Sequence, residues 1–366
     1  MNHIGLPVNL DPALAPESSA IRRNPRPHCP ACGSTGAVRY DRLADRWFGT
    51  PGEWRMRVCS AQGCGAWYLD PMPYDADIPL LYERYYTHSE AVGSASTLGK
   101  GLPRSARLAY LSRTYGYRLE PQPPAWHAYL MALVPGRREQ LDFAVLGLES
   151  AWRGPLLDVG CGSGAMLRLM QDLGWDAQGI DMDPRAVAVA QAEGLRARVG
   201  TLEDAQFQEQ HFAVVTSSHV IEHVLDPKAF LQQCLRVTRP EGRLVLTTPN
   251  AGSLGHRLFG GRWRGLEPPR HFQVFTPDSL ERLAASVGYE DVQVKTSARL
   301  AAIIARDSVR PDAQGPPTRY RMGHPVRIFT SIFQIFERAL LPFWHEAGEE
   351  LILSARSPRS SLDPPR

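Results

Sequence analysis

Apolar runs and helix-spaced segments alternate between residues 155 and 250. LLDVG (156–160) predicts a short buried strand, and AMLRLMQDLG (165–174) has helical spacing and stops at Gly174. AQGIDMD (177–183), ARVG (197–200), FAVVTSS (212–218) and RLVLTTP (243–249) read as four further strands. Asp183-Pro184 and Asp226-Pro227 each supply an N-cap followed by a proline at the first helical position. Strands that alternate with helices predict a parallel, doubly wound α/β sheet with its ligands beyond the carboxyl ends of the strands. Past residue 250 the pattern thins. Thr276-Pro277 opens a helix that runs to Val287-Gly288, and VQVKTS (292–297) and ELILSAR (350–356) predict two late strands around a strongly apolar helix at 325–344. That helix has few charges and no Lys/Arg-rich polar face, so packing on the core or against a second copy is favoured over an interfacial anchor.

Composition narrows the class. The 366 residues include 41 Lys+Arg and 38 Asp+Glu, a net charge of +3, with no concentrated basic patch, so no nucleic-acid partner is expected. Only Lys100, Lys228 and Lys295 are lysines, and the Arg excess is spread along the chain. No uncharged apolar run reaches the ~18–20 residues of a membrane span, and the N-terminus lacks a charged segment followed by an apolar one. A cytoplasmic chain is expected. Its six cysteines would then be reduced and free for a metal or structural role.

The most specific chemical signal is Asp158-Val159-Gly160-Cys161-Gly162-Ser163-Gly164, placed between a predicted strand and a predicted helix. Its spacing is G-x-G-x-G, unlike the G-x-G-x-x-G of dinucleotide folds, which disfavours an NAD-dependent oxidoreductase. Asp181 follows at the end of the next strand, suited to a ribose diol. With GIDMDP (179–184), GTLED (200–204), SSHVIEHV (217–224) and RPEGRLVLTTPN (239–250), this loop resembles the class I S-adenosylmethionine-dependent methyltransferases. The resemblance implies a Rossmann-like seven-stranded sheet in the order 3-2-1-4-5-7-6, its last strand antiparallel. It also implies that Asp158 and the backbone of Gly160, Gly162 and Gly164 hold the methionine end of S-adenosyl-L-methionine. Asp181 would hold the ribose, Met182 would lie against the adenine, and Thr201, Leu202 and Glu203 would border its edge.

Methyl transfer to oxygen or carbon needs a base for the acceptor. His219, Glu222 and His223 stand at i, i+3 and i+4 just past the fourth strand, on one face of a helical turn. The block resembles the ubiquinone-biosynthesis O-methyltransferases, whose E-x-x-E-H at this place is associated with a divalent ion; here His219 replaces the first acid. General base, metal ligands and a structural turn all remain open for these three residues. The resemblance extends to the R-H-F-x-x-F-T-P stretch, where His271 is a second candidate base and Arg270 a partner for a phosphate or carboxylate of the acceptor.

Cys29-x2-Cys32 and Cys59-x4-Cys64, separated by 26 residues, fit a closed tetrahedral zinc site, structural because no position stays open. The ribbon and the Tyr-rich segment after it also resemble the nucleotide-sugar C-methyltransferases, which implies that Tyr85, Tyr86 and His88 help cover the acceptor. The expected organisation is a disordered tail (1–25), a zinc-ribbon module (26–75) and a helical acceptor-covering segment (76–150). The S-adenosylmethionine-binding core (151–300) and a helical insertion with the last strand (301–366) follow. The acceptor is expected to be a small molecule, a sugar or glycan precursor, with O-methylation slightly favoured over C-methylation; a quinone-like acceptor is the alternative. A zinc-ribbon adaptor with a non-catalytic methyltransferase fold is the alternative of another class, and a homodimer is possible.

Overall fold

The computed structural model describes residues 21–82, 104–118, 124–133, 135–310 and 323–359. Tyr85, Tyr86 and His88 lie outside the described residues, as do residues 1–20. Residues 21–25, expected within the disordered tail, are ordered: β1 (Arg23–Asn24) pairs antiparallel with β5 (Met72–Pro73), and the Asp77 carboxylate accepts from both the backbone and the guanidinium of Arg22.

Between β1 and β5 stand β2 (Gly36–Leu43), β3 (Trp54–Cys59) and β4 (Trp67–Leu69), an antiparallel meander. Helices α1 (Ile78–Tyr82), α2 (Arg104–Tyr115) and α3 (Pro135–Ala144) follow, with a 3₁₀ segment at Ala125–Leu133.

The core then runs β6 (Pro155–Val159), α4 (Ala165–Asp172), β7 (Asp176–Asp181), α5 (Pro184–Ala192), β8 (Ala197–Val199) and β9 (Phe212–Ser218). Next come α6 (Pro227–Val237), β10 (Thr238–Pro249), α7 (Leu254–Phe259), β11 (Gln273–Val274), α8 (Pro277–Val287) and β12 (Glu290–Ser297). Helices α9 (Ala301–Val309) and α10 (His324–Leu340) precede β13 (Glu350–Arg356).

Seven strands form one sheet in the order β12-β13-β10-β9-β6-β7-β8, with β13 antiparallel to both neighbours. Numbered within the core, this is the order 6-7-5-4-1-2-3 that the methyltransferase resemblance implies. Alternate residues of the strands feed opposite faces, as the two-residue period of a strand requires. Leu157, Val215 and Leu246 pack with Leu231 and Cys234 of α6 and Leu280 and Leu283 of α8. Leu156, Val214 and Val245 pack with Leu167 and Met170 of α4, Val187 and Ala190 of α5, and Leu111 of α2. Both faces are covered, which explains why these strands read as continuous apolar runs.

The expected cysteine module is not a separate sheet. β11, from the core, pairs with β4 and completes a four-stranded sheet β11-β4-β3-β2. Trp54, Met56 and Leu69 of the meander share a buried cluster with Trp263, Leu266, Phe272 and Val274. The ribbon therefore buttresses residues 263–274, the stretch that carries Arg270 and His271. α10 buries only a narrow stripe that includes Phe333, and leaves Ile328, Ile332, Ile335 and Phe336 exposed. No helix among the described residues is long and apolar enough to cross a membrane.

Candidate active site

The glycine loop joins β6 to α4 at the carboxyl edge of the sheet. Gly160, Gly162 and Gly164 all have positive φ (80°, 51° and 84°), a conformation that costs a side chain dearly. A Cβ on Gly160 would stand 2.3 Å from Val220 Cγ2, and one on Gly164 would stand 2.4 Å from Leu195 Cδ1. The Cβ direction of Gly162 meets no atom within 4 Å. Two glycines thus serve close packing, and the middle one faces open space.

Asp181 closes the loop from the neighbouring strand. Its Oδ2 accepts from the Gly162 N–H at 2.8 Å and its Oδ1 from the Asp183 N–H at 2.8 Å. Asp158 is buried and accepts from the Thr216 hydroxyl at 2.7 Å. Burial pushes its carboxyl up to about 7, with the Asp181 charge adding to the effect. Met182 beside Asp181 is 71% exposed, an unusual position for a large apolar residue and one that suits a flat ring laid against it. Thr201 turns its hydroxyl onto Asp204, and Glu203 is exposed. Leu202 departs from expectation: its side chain lies in the sheet core, so only its backbone is left to border a ligand.

Past β9 the chain makes a 3₁₀ turn at Ile221–His223, not an α-helical turn with one shared face. His219 enters it at φ 55°. Its Nδ1 lies 3.1 Å from Glu222 Oε1 and its Nε2 2.8 Å from Glu350 Oε1. Burial disfavours a charged imidazole, but the two carboxylates win and raise the His219 pKa to about 10. With both ring nitrogens donating, His219 has no lone pair, so the structure corrects its candidacy as a base or ligand. Glu222 is fully buried. Burial would raise its pKa, yet the hydrogen bond and charge of His219 bring it down to about 2. Its Oε2 accepts from the Thr248 hydroxyl at 2.9 Å.

The partner that His219 does not supply comes from the loop before β11. One ligand atom each from Glu222, His223 and His271 lie within 4.8 Å of one another. His271 Nδ1 donates to the Gly265 carbonyl at 2.7 Å, and His223 Nδ1 donates to the Arg270 carbonyl at 3.0 Å, within reach of the Tyr82 hydroxyl. These bonds put the ring proton on Nδ1 in both and leave each Nε2 as an acceptor, with the Glu267 carboxylate 3.5 Å from that of His271. Burial lowers both imidazoles, His271 to about 4, so both are neutral near pH 7. An ionised carboxylate and two neutral imidazoles with carbonyl-bonded Nδ1 atoms form a donor set that suits a divalent transition metal.

Arg270 is also corrected. It is fully buried, pairs with Asp45 at 2.9 Å and Glu267 at 3.0 Å, and its Nη1 donates to Thr50. Such a group ties the ribbon to the site loop and has nothing left for an acceptor. Tyr82 and Thr248 are site residues that the sequence reading did not single out: Thr248 lies within RPEGRLVLTTPN and Tyr82 opens the Tyr-rich segment, yet both reach the cluster only through the fold.

In the ribbon, Cys29 Sγ lies 3.8 Å from Cys64 Sγ and Cys32 Sγ lies 3.4 Å from Cys59 Sγ, with all four sulfurs within 4.8 Å of one another. A ZnS₄ tetrahedron with ~2.3 Å bonds has edges of ~3.8 Å, so the set fits zinc. Both knuckles turn on glycines of positive φ, Gly33 at 76° and Gly63 at 78°. Burial raises Cys59 to about 11, and the neighbouring Cys32 and Cys64 thiols add to the rise.

Residues 137–294 match the family model described as a methyltransferase domain. The chain is similar to a ubiquinone biosynthesis O-methyltransferase from Cereibacter sphaeroides, 34% identical over 152 residues, covering 38% of this chain and 62% of that protein. A protein of the same description from Xanthomonas oryzae pv. oryzae is 39% identical over 137 residues, covering 36% of this chain and 54% of its own. The chain thus spans a little over half the length of these curated relatives. Among solved structures it is similar to a SAM-dependent methyltransferase from Archaeoglobus fulgidus, at 17% identity and a TM-score of 0.40 over 62% of this chain and 93% of that one. Residues 137–294, which hold the carboxyl-edge glycine loop and most of the seven-stranded sheet, are thus similar to a methyltransferase domain.

Proposed function

We propose that this protein transfers a methyl group from S-adenosyl-L-methionine to an oxygen of a small-molecule acceptor. The observation that carries the reading is the convergence of Glu222, His223 and His271 on the same sheet edge as the Gly160–Gly164 loop and Asp181. The cofactor residues fit: open space at Gly162, a half-buried carboxylate at Asp181 and an uncovered Met182 match the methionine, ribose and adenine parts in turn. In the reaction the acceptor oxygen attacks the methyl carbon in line, the carbon–sulfur bond breaks, and the sulfur leaves with the bonding pair as a neutral thioether. The leaving group needs no acid. The chain must align the two partners and remove the acceptor proton. His223 and His271, held neutral, can take that proton at Nε2, and the ionised Glu222 stabilises the imidazolium that forms. In place of that proton transfer, the same three side chains would hold a divalent cation, which would supply Lewis-acid polarisation of the acceptor hydroxyl. Cys29, Cys32, Cys59 and Cys64 would hold a structural zinc.

A sugar or glycan precursor is the acceptor class that the ribbon and the Tyr-rich segment support. A quinone-like phenol is the second reading, favoured by the O-methyltransferases that the core is similar to. With an acceptor in hand, His271→Ala is expected to lower turnover by about 10²–10⁴-fold while the S-adenosylmethionine affinity stays within about twofold. Wild-type turnover by that variant would remove His271 from the chemistry. Cofactor binding with no turnover on any acceptor would favour the adaptor instead.

A further inference from the structure

Helix α3 starts beside the C-terminal half of α10, and Arg299 enters the gap between them from the connection after β12. Gly136, Arg137, Gln140, Arg299, Gln334 and Arg338 line a cleft of about 190 Å³. Three guanidiniums and no carboxylate line it. This is less than the ~300–1,000 Å³ that encloses a whole ligand, so it is scaled to one group of a larger molecule. We propose that the cleft is the subsite for a phosphate-bearing group of the acceptor, an inference that builds on the methyl-transfer reading.

The arginines are held ready for such a group. Arg299 donates through Nε and Nη2 to Glu350, at 3.2 and 2.7 Å, and its guanidinium lies 3.3 Å from the centre of the Phe143 ring. Arg338 donates through Nε and Nη2 to Glu139, at 3.1 and 2.5 Å. Each keeps its Nη1 edge without a protein hydrogen bond among the described residues. Arg137 meets no carboxylate among those residues; it makes only a 3.3 Å bond from Nη1 to Gln140 Oε1. Its charge is therefore uncompensated among the described residues. Gly136 and Arg137 belong to the first turn of α3, whose N–H groups have no intrahelical partners. The guanidinium of Arg338 lies over Gly136, with Nη1 3.5 Å from where a Cβ would stand. A carboxylate has two oxygens and is satisfied by one arginine fork, whereas three guanidiniums over a helix N-terminus match the several oxygens of a phosphate or diphosphate.

The cleft is also joined to the reacting cluster. Glu350, which positions Arg299, accepts from His219 Nε2, and His219 Nδ1 is bonded to Glu222. This gives the clamped His219 a role: it couples the carboxylate that aims Arg299 to the carboxylate of the reacting cluster. The phosphate-reading function that the sequence suggested for Arg270 passes to an arginine set that no local motif announces.

Sodium pyrophosphate is the probe. Calorimetry on the full chain at low salt is expected to show binding that weakens as salt is added. Arg137→Ala, which breaks no ion pair, is expected to weaken it by about tenfold or more, and Arg137→Lys to recover part of the loss. S-adenosylmethionine affinity is expected to be equal in all three proteins, which also reports that they are folded. No pyrophosphate binding by the wild type, or equal binding by Arg137→Ala, overturns the proposal. If pyrophosphate behaves as expected but S-adenosylmethionine does not bind, the anion cleft stands and the methyl-transfer reading falls.

Discussion

Asp158 illustrates how a single buried carboxylate sets the conditions for the whole site. Its acid form is favoured by burial, so its titration lies near pH 7 and not near the ordinary carboxylate value. Below that point it is neutral; above it, it carries the negative charge that a cationic ligand requires. Affinity for S-adenosylmethionine is therefore expected to rise by about three- to tenfold between pH 6 and pH 8, and the rise should flatten in Asp158→Asn. Calorimetry at those pH values checks this; an equal slope in the variant would place the titrating group elsewhere. Residue roles were the least legible part of the sequence. Gly160, Gly162, Gly164 and Asp181 stand at the sheet edge where the sequence put them, because a strand-loop-helix forces the loop there. His219 and Arg270 were not. Their roles depend on Glu350 and Asp45, which lie 131 and 225 residues away and carry no local signal. His271 stayed a candidate, but its company with Glu222 and His223 came only from the chain path after β10.

At the scale of elements, the core strands and helices were predicted to within a few residues because both faces of the sheet are buried and each helix has a proline or glycine at its boundary. FAVVTSS and ELILSAR are strands from end to end. What spacing could not show is that the cysteine hairpin shares its sheet with β11. β11 has only two residues, too few for any period, and it pairs through Gln273↔Tyr68 and Val274↔Trp67. This pairing makes the ribbon a support for His271 and not an appended module. Metal analysis of the purified chain is expected to give about one zinc per chain from the four-cysteine site. A strong chelator should lower the melting temperature, since the folding energy of such a hairpin comes largely from its ion. Zinc-free protein of unchanged stability would contradict this.

At the scale of the whole molecule, the sheet order, the single reversed strand and the glycine loop all put the proposed site on one edge. The cleft of Arg137, Arg299 and Arg338 borders that edge from the α3 and α10 side. The long helix α10 was legible as apolar, but not which of its sides the core would take. Its Ile328, Ile332, Ile335 and Phe336 remain exposed, while Thr330, Phe333 and Glu337 are buried and Gln334 and Arg338 bond to neighbouring elements. The central claim is that the carboxyl edge holds S-adenosylmethionine through the loop and Asp181. The most direct measurement is calorimetric titration of the purified full chain and of Asp181→Ala with S-adenosylmethionine. The account predicts one site per chain in the wild type and an affinity at least about tenfold weaker in the variant. Equal affinity in the two proteins, or no binding by the wild type, would contradict it.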